Sequence, residues 1–148
     1  MSGFIGEFPC KIDDKGRFIL PAAIKKQMPV EAKEKFVLNR GFEKCLVLYP
    51  QNEWEIISDK INKLNKFVKR NREFARYFFR GATEMTLDSA SRLLIPKRLA
   101  DYADIKKDII LSSLTDKIEV WAMEHYDNML GEEPENFSDL AEEVMGGE

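Results

Sequence analysis

Two stretches of the chain share the same order of apolar and polar positions, and they lie 75 residues apart. Residues 12–21 read as an apolar residue, Asp, three turn-forming residues, Arg, three large apolar residues and Pro, and residues 87–96 repeat that order. Asp, Lys and Gly favour turns, an apolar triplet is typical of a short buried strand, and Pro suits the first turn of a helix. Each stretch therefore predicts a strand, a tight turn, a second strand and the start of a helix.

The two copies continue to match downstream of these stretches. Each has a helical segment, a first apolar run, a polar turn and a second apolar run, with those segments at 22–28, 36–38 and 45–49 in the first copy and 97–103, 109–111 and 117–121 in the second. Each copy thus reads β-β-α-β-β. A unit of about 45 residues is too small to bury a sufficient core alone, so we predict that the two copies fold into one body.

The doubled Asp-x-x-x-Arg motif, Asp13 to Arg17 and Asp88 to Arg92, resembles the MraZ family and its wider relatives, the AbrB-like swapped-hairpin DNA-binding proteins. The resemblance covers about residues 4–130. It implies an α+β, β-rich fold in which two pseudo-symmetric β-β-α-β-β repeats fuse into a swapped-hairpin barrel with linker helices outside. It also implies a bacterial transcriptional regulator that assembles as a ring and binds promoter repeats ahead of division and cell-wall genes.

This organisation divides the chain into four segments. We expect a first AbrB-like repeat at 6–51, linker helices at 52–80, a second AbrB-like repeat at 81–130 and an acidic, mobile tail at 131–148. The linker carries eight basic residues, which we interpret as the solvated face of a helix in preference to a DNA-binding surface.

Charge is distributed unevenly along the chain, whose net charge is −3. Residues 131–148 hold seven of the 26 acidic residues and none of the 23 basic ones, so residues 1–130 carry 19 acids against 23 bases, a net charge of +4. Contact with phosphates depends on local basic patches and not on the charge of the whole chain. The composition therefore permits DNA binding without establishing it.

Sequence signatures of enzymes and metal sites are absent. The chain has no Gly-rich phosphate loop, no Gly-x-Ser-x-Gly elbow and no zinc-binding spacing. Cys10 and Cys45 stand apart and suit small buried hydrophobic positions, and we place His125, the single histidine, on a solvated helix. We predict that the chain is not an enzyme and binds no metal, cofactor or small-molecule substrate.

The sequence also lacks a segment that would enter a membrane. No apolar run approaches the roughly 18 residues that span a bilayer, and the first residues do not resemble a signal peptide. We expect a cytoplasmic protein, and the family resemblance adds association with the nucleoid.

The candidate DNA contacts lie in the two motifs. Asp13 and Arg17 can form a hydrogen-bonded ion pair, which would orient a guanidinium suited to a guanine edge or a phosphate. Lys11 and Lys15 add charge directed at phosphates. Taken alone, one copy of the motif is explained at least as well by a hairpin that is closed by a salt bridge and has no contact with DNA. The family resemblance makes DNA contact the preferred interpretation for Asp13 and Arg17.

The second copy departs from the first inside the turn. Ser89, Ala90 and Ser91 replace residues that include a lysine and a glycine. If the position of Ser91 is left-handed, the serine costs roughly 1 kcal/mol relative to glycine. We therefore expect Arg92, oriented by Asp88, to contact DNA more weakly than Arg17 or to have an equally plausible structural role.

With the family resemblance, we expect a repressor that binds double-stranded promoter boxes as a ring homo-oligomer, in which several weakly binding tips gain avidity together. The alternative is an antitoxin-like protein-interaction module whose acidic tail folds on a partner protein.

Overall fold

The computed structural model describes residues 3–131 and 137–146. Its strands are β1 Glu7–Lys11, β2 Arg17–Ile19, β3 Lys35–Arg40, β4 Leu46–Pro50, β5 Thr83–Thr86, β6 Arg92–Leu94, β7 Asp108–Leu114 and β8 Lys117–Ala122. Its helices are α1 Ala22–Gln27, α2 Gln51–Asn62, α3 Lys69–Phe79, α4 Lys97–Tyr102, α5 Met123–Leu130 and α6 Phe137–Gly146, with a 3₁₀ turn at Val30–Ala32. Both copies thus contain the predicted order of two strands, a helix and two strands.

The strands form an antiparallel sheet of six, in the order β1-β7-β8-β4-β3-β5, and a separate ribbon of two, β2 with β6. The predicted α+β class with two repeats is confirmed. The expected barrel is not closed among the described residues, because the three-residue strands β2 and β6 pair with each other and leave the larger sheet open.

The two copies exchange strands. The first strand of each copy pairs with the third strand of the other, β1 with β7 and β5 with β3. The remaining cross-copy pairs join equivalent strands, β2 with β6 and β4 with β8. Equivalent residues face each other at Phe18 with Leu93 and at Val47 with Glu119, so a pseudo-two-fold axis passes through both pairs.

The main core lies between the inner face of the six-stranded sheet, the ribbon and the helices α1 and α4. Phe18 and Leu93 contribute from the ribbon, and Ile24 and Leu99 from the two helices. The sheet contributes alternate residues of its strands, among them Phe36, Leu38, Leu46, Leu48, Ile109, Leu111, Ile118 and Val120. Burial of each large side chain stabilises the fold by about 1.5–3 kcal/mol, so the fused body supplies the core that one copy lacks.

Helices cover the outer face of the sheet. Trp54 of α2 stacks on Phe78 of α3, with ring centroids 5.7 Å apart, and meets Tyr49 of β4 edge to face. On the other half, Trp121 and Tyr126 form a smaller cluster with Cys45 beneath α5. Cys45 is buried, as expected, and desolvation raises the pKa of its thiol to about 12. Cys10 is only half-buried, and neither cysteine forms a disulfide.

The acidic segment contains the helix α6, which is exposed along its whole length. Its apolar residues Phe137, Leu140, Val144 and Met145 are between 43% and 71% exposed. The expectation of a mobile tail also concerns residues 132–136 and 147–148, which lie outside the described residues.

Asn39 is the one fully buried polar side chain in residues 3–131 and 137–146. Its Nδ2 donates to the carbonyl of Phe78 at 2.7 Å, and its Oδ1 accepts from the backbone N–H of Arg40 at 2.8 Å. Both ends of the amide are therefore used: the Nδ2 bond joins β3 to the end of α3, and the Oδ1 bond stays within β3.

Replacing Asn39→Ala is expected to lower the free energy of unfolding by about 1–3 kcal/mol, because it leaves the partly buried Phe78 carbonyl without this donor. Urea denaturation measures the change, with Asn62→Ala on the exposed face of α2 as the matched control. Equal stability of the two variants would contradict the role given to Asn39.

Candidate nucleic-acid interface

The first Asp-x-x-x-Arg loop is closed by its own backbone and by the carboxylate of Asp13. The N–H of Asp13 donates to the carbonyl of Arg17 at 2.8 Å, and the N–H of Gly16 donates to the carbonyl of Asp13 at 3.0 Å. Oδ1 of Asp13 accepts from the N–H groups of Lys15 and Arg17, at 3.0 and 2.9 Å. Oδ2 accepts from Nε of Arg17 at 2.9 Å, so one carboxylate fixes both the turn and the guanidinium.

The second loop repeats this geometry despite its different sequence. Oδ1 of Asp88 accepts from the N–H groups of Ala90 and Arg92, at 2.8 and 2.9 Å, and Oδ2 accepts from Nε of Arg92 at 2.8 Å. The N–H of Ser91 donates to the carbonyl of Asp88 at 3.0 Å, as Gly16 does in the first loop. The difference between the copies is therefore one of side-chain charge, and the loop shape is the same.

Gly16 and Ser91 occupy the same left-handed position, with φ of +85° and +59°. A residue with a side chain is less stable in that region by about 1–2 kcal/mol. Ser91 does adopt the left-handed conformation, so the strain expected for a serine at this position applies. Nζ of Lys25 donates to Oγ of Ser91 at 2.9 Å. The serine thus supplies a contact to α1 that glycine could not make.

Hydrogen bonds lower the pKa of both loop aspartates. For Asp13 and for Asp88 the largest cause is the backbone N–H of the motif arginine, Arg17 or Arg92. The side-chain hydrogen bond and the charge of the same arginine act in the same direction, while desolvation opposes them. Both carboxyls therefore stay ionised to lower pH than ordinary aspartates, and the loops keep their shape at neutral pH.

Pairing of β2 with β6 brings the two loops together. Arg17 lies opposite Leu94 and Ile19 lies opposite Arg92. Arg17 and Arg92 are consequently diagonal neighbours on one face of the ribbon, a relation in which residues are about 7–8 Å apart. The N–H of Ile95 donates to the carbonyl of Gly16, and the N–H of Leu20 to that of Ser91, each at 2.9 Å. The sequence predicted two separate tips and missed this shared face.

Each arginine keeps donors for a ligand. Only Nε of each guanidinium is used by its aspartate, and neither Nη group makes a hydrogen bond to any described residue. The side chains of Arg17 and Arg92 are 27% and 31% exposed. Their stems are held by the protein, and their ends are free to meet an acceptor.

The two lysines of the first copy lie in different surroundings. Lys15 is exposed in the loop and makes no ion pair with a described residue, although the neighbouring Asp14 is exposed as well. Lys11 lies on β1 and pairs with Asp108 of β7 at 3.1 Å, with both side chains more than half exposed. Of the two, Lys15 is the one that the structure brings beside Arg17.

The remainder of the described chain offers little sign of catalysis. No group of three or more His, Cys, Asp or Glu residues in residues 3–131 and 137–146 could hold a metal ion. His125 is half-buried and lies 2.9 Å from Asp104, which also binds Lys44 at 2.9 Å. Its contact is thus with Asp104, which lies outside its own helix α5. None of the described helices has the length and apolarity needed to cross a membrane.

A family model described as "MraZ protein, putative antitoxin-like" matches the chain twice, over residues 4–77 and 78–146. A protein of Flavobacterium psychrophilum named transcriptional regulator MraZ is 47% identical over 147 residues, which cover 99% of this chain and 94% of that protein. Proteins of the same name from Christiangramia forsetii and Cytophaga hutchinsonii are 42% and 43% identical, and each alignment covers at least 96% of both chains. These names denote regulators and not enzymes, which confirms the prediction that the chain is not an enzyme.

We predict that Asp13 and Asp88 titrate below the ordinary aspartate value in the folded protein. Because the folded pKa is depressed, their contribution to stability is present above the unfolded pKa and is lost as the pH falls through the folded pKa. Carboxyl ¹³C NMR measures both titrations. In Arg17→Ala the pKa of Asp13 should rise but stay below the unfolded value, since the backbone N–H of residue 17 remains. The pKa of Asp88 should not change in this variant. An unaltered Asp13 would show that the guanidinium does not act on this carboxylate.

Proposed function

This chain belongs to the MraZ family, and from that premise we propose that it is a DNA-binding transcriptional regulator whose reading element is the ribbon of β2 and β6. The observation that carries the proposal is the pair of Asp-x-x-x-Arg loops, which present Arg17 and Arg92 as diagonal neighbours on one exposed face. Two oriented guanidinium groups on a two-stranded ribbon match what the major groove admits and displays.

The ribbon supports recognition in a simple way. Major grooves accept a two-stranded β-ribbon, and several known regulators read bases with one. Asp13 and Asp88 hold Nε of Arg17 and Arg92, which leaves the Nη groups for O6 and N7 of guanine. Because the aspartates fix the guanidinium groups beforehand, less side-chain entropy is lost on binding.

Positive charge around the ribbon supports contact with phosphates. Lys15 extends from the first loop, while Lys25 and Lys26 lie on α1 and Lys97 and Arg98 on α4, the helices that follow the two ribbon strands. Such residues position a protein on the duplex but carry little sequence information. Lys11, Lys25 and Lys97 contribute less in this proposal, since each has an acidic partner in the free protein, namely Asp108, Glu34 and Asp101.

The finer proposal is a cytoplasmic, nucleoid-associated repressor that binds repeated promoter boxes ahead of division and cell-wall genes as a ring. An exposed aromatic surface supports self-association: Phe42, Phe74 and Tyr77 are 84%, 41% and 64% exposed. Because the two repeats differ, contact between the first half of one subunit and the second half of the next is heterologous and can close into a ring. A ring binds spaced boxes with avidity.

The exposed helix α6 favours a second candidate function. Its apolar residues have no buried position in the described structure, as expected of a segment that binds another protein. The alternative is therefore an antitoxin-like interaction module in which this helix meets the partner. A comparison of promoter DNA with random DNA distinguishes the two functions, because an interaction module should bind both DNAs equally.

Arg17→Ala is expected to reduce specific binding by about 1–3 kcal/mol per engaged subunit, the value of a lost bidentate contact. Arg92→Ala should reduce it less, because its loop carries Ala90 where the first loop carries Lys15. Fluorescence anisotropy over a salt series, with the promoter upstream of its own gene and a scrambled duplex, measures both variants.

Lys15→Ala is the control, since a phosphate contact should weaken binding to both duplexes alike and lower the salt slope by about 1. Thermal unfolding checks that the variants remain folded. If Arg92→Ala is the more severe binding defect with an unchanged melting curve, Arg17 is not the principal contact.

We further predict a closed homo-oligomer. Light scattering at micromolar concentration should give an integral multiple of the 17.2 kDa chain mass, and Arg17→Ala should leave that mass unchanged because the ribbon face is reserved for DNA. A monomer mass for the unmodified chain would refute the ring, whether or not the protein binds DNA.

A further inference from the structure

Two large aliphatic side chains lie on the exposed face of the ribbon, where the proposed function has given a role only to arginines. Ile19 is 63% exposed and Leu94 is 52% exposed. Side chains of a strand alternate between its faces, so Ile19 shares its face with Arg17, and Leu94 shares it with Arg92. Single exposed aliphatic residues are common on protein surfaces and need no explanation. These two, however, lie together with both motif arginines on one face of the ribbon.

The core does not require these two side chains. Phe18 and Leu93 fill the opposite face of the ribbon and are 2% and 1% exposed. Polar residues at positions 19 and 94 would leave that packing unchanged. The aliphatics are also equivalent under the pseudo-two-fold axis, because Phe18 and Leu93, the residues that precede them, face each other across it.

Each aliphatic residue is the direct cross-strand neighbour of a motif arginine. Ile19 faces Arg92, and Leu94 faces Arg17. Residues opposite each other in an antiparallel pair have Cβ atoms about 4.5–5.5 Å apart, while successive bases of one DNA strand are separated by about 3.4 Å along the helix axis. An arginine and its aliphatic neighbour can therefore reach adjacent or next-but-one base pairs.

We infer that Ile19 and Leu94 are specificity-determining residues that contact the C5-methyl groups of thymines beside the guanines bound by Arg92 and Arg17. The inference rests on the proposed function, since it needs the ribbon in the major groove. Thymine is the base that displays a methyl group there, and apolar side chains are what recognise it. Each half of the ribbon face thus selects a guanine with a thymine at the adjacent or next-but-one base pair.

Charge favours DNA over a second copy of the chain as the occupant of this face. Stacking the face on its equivalent in another subunit would bring four guanidinium groups together. The carboxylates of Asp13 and Asp88 are not available to bridge these groups across the contact, because each already pairs with its own arginine and accepts three hydrogen bonds within its own loop. A polyanion removes this repulsion, and the groove floor offers apolar methyl groups to Ile19 and Leu94.

The test exchanges thymine for uracil, which removes the methyl group and leaves base pairing intact. Footprinting with the full chain first locates the boxes in the promoter upstream of its own gene. Each thymine in a box is then replaced by deoxyuridine, and the affinities of wild type, Ile19→Ala and Leu94→Ala are measured by fluorescence anisotropy. Val30→Ala, which removes an 87% exposed aliphatic side chain outside the ribbon, is the matched control.

The wild type and Val30→Ala should lose about fourfold in affinity at the critical thymines, the effect of one buried methylene group. Ile19→Ala should bind the thymine duplex more weakly, and its affinity should no longer change when uracil replaces one particular thymine in each box. Leu94→Ala should behave in the same way at a different thymine. Full sensitivity in both ribbon variants would overturn the inference.

Three other results would also overturn it, and they can be told apart. If the wild type prefers the promoter over a scrambled duplex but ignores every uracil, the methyl contact is wrong and the proposed function stands. If the wild type shows no promoter preference, the inference and the proposed function fail together. A change in the oligomeric mass of Ile19→Ala by light scattering would assign the residue to a subunit contact instead.

Discussion

The pairing of β2 with β6 is the contact on which the site depends. Each strand has three residues, and neither could persist without a partner that buries Phe18 and Leu93 against the sheet. Those two residues face each other on the pseudo-two-fold axis. The same pairing buries core residues and places Arg17 and Arg92 on one face. The candidate interface should therefore be as rigid as the core that supports it.

The carboxylates of Asp13 and Asp88 explain how two loops of different sequence keep one shape. Each accepts two backbone N–H groups and the Nε of an arginine, which over-determines the turn. A serine can then occupy the left-handed position that glycine fills more easily. The turn depends on its aspartate more than on its glycine, and the second copy could change its central residues while keeping its geometry.

Charge and exposed apolar surface divide the molecule into two regions of different character. Residues 1–130 carry a net charge of +4, and the basic side chains of the first turns of α4 and the last turn of α1 lie near the ribbon. The acidic segment 131–148 follows the second repeat, and it contains the exposed helix α6. Basic residues of the linker serve the protein itself in part: Lys66 and Arg72 donate to backbone carbonyls around the end of α2. That supports the structural interpretation of this basic segment.

The sequence by itself determined the repeat, the order of elements in each copy and the two aspartate–arginine loops. These features are local: the aspartate and its arginine are four residues apart, so the turn and its hydrogen bonds depend on a few adjacent side chains. The tertiary structure decided which strands pair. An apolar triplet such as residues 18–20 is buried equally well by a hairpin within one copy or by exchange with residues 93–95, and the pattern of apolar positions is the same in both cases. The strands form a six-stranded sheet and a separate ribbon in place of the expected closed barrel, and the exchange brings Arg17, Ile19, Arg92 and Leu94 to one face. Only contacts between ribbon residues 73 to 77 positions apart distinguish the two arrangements.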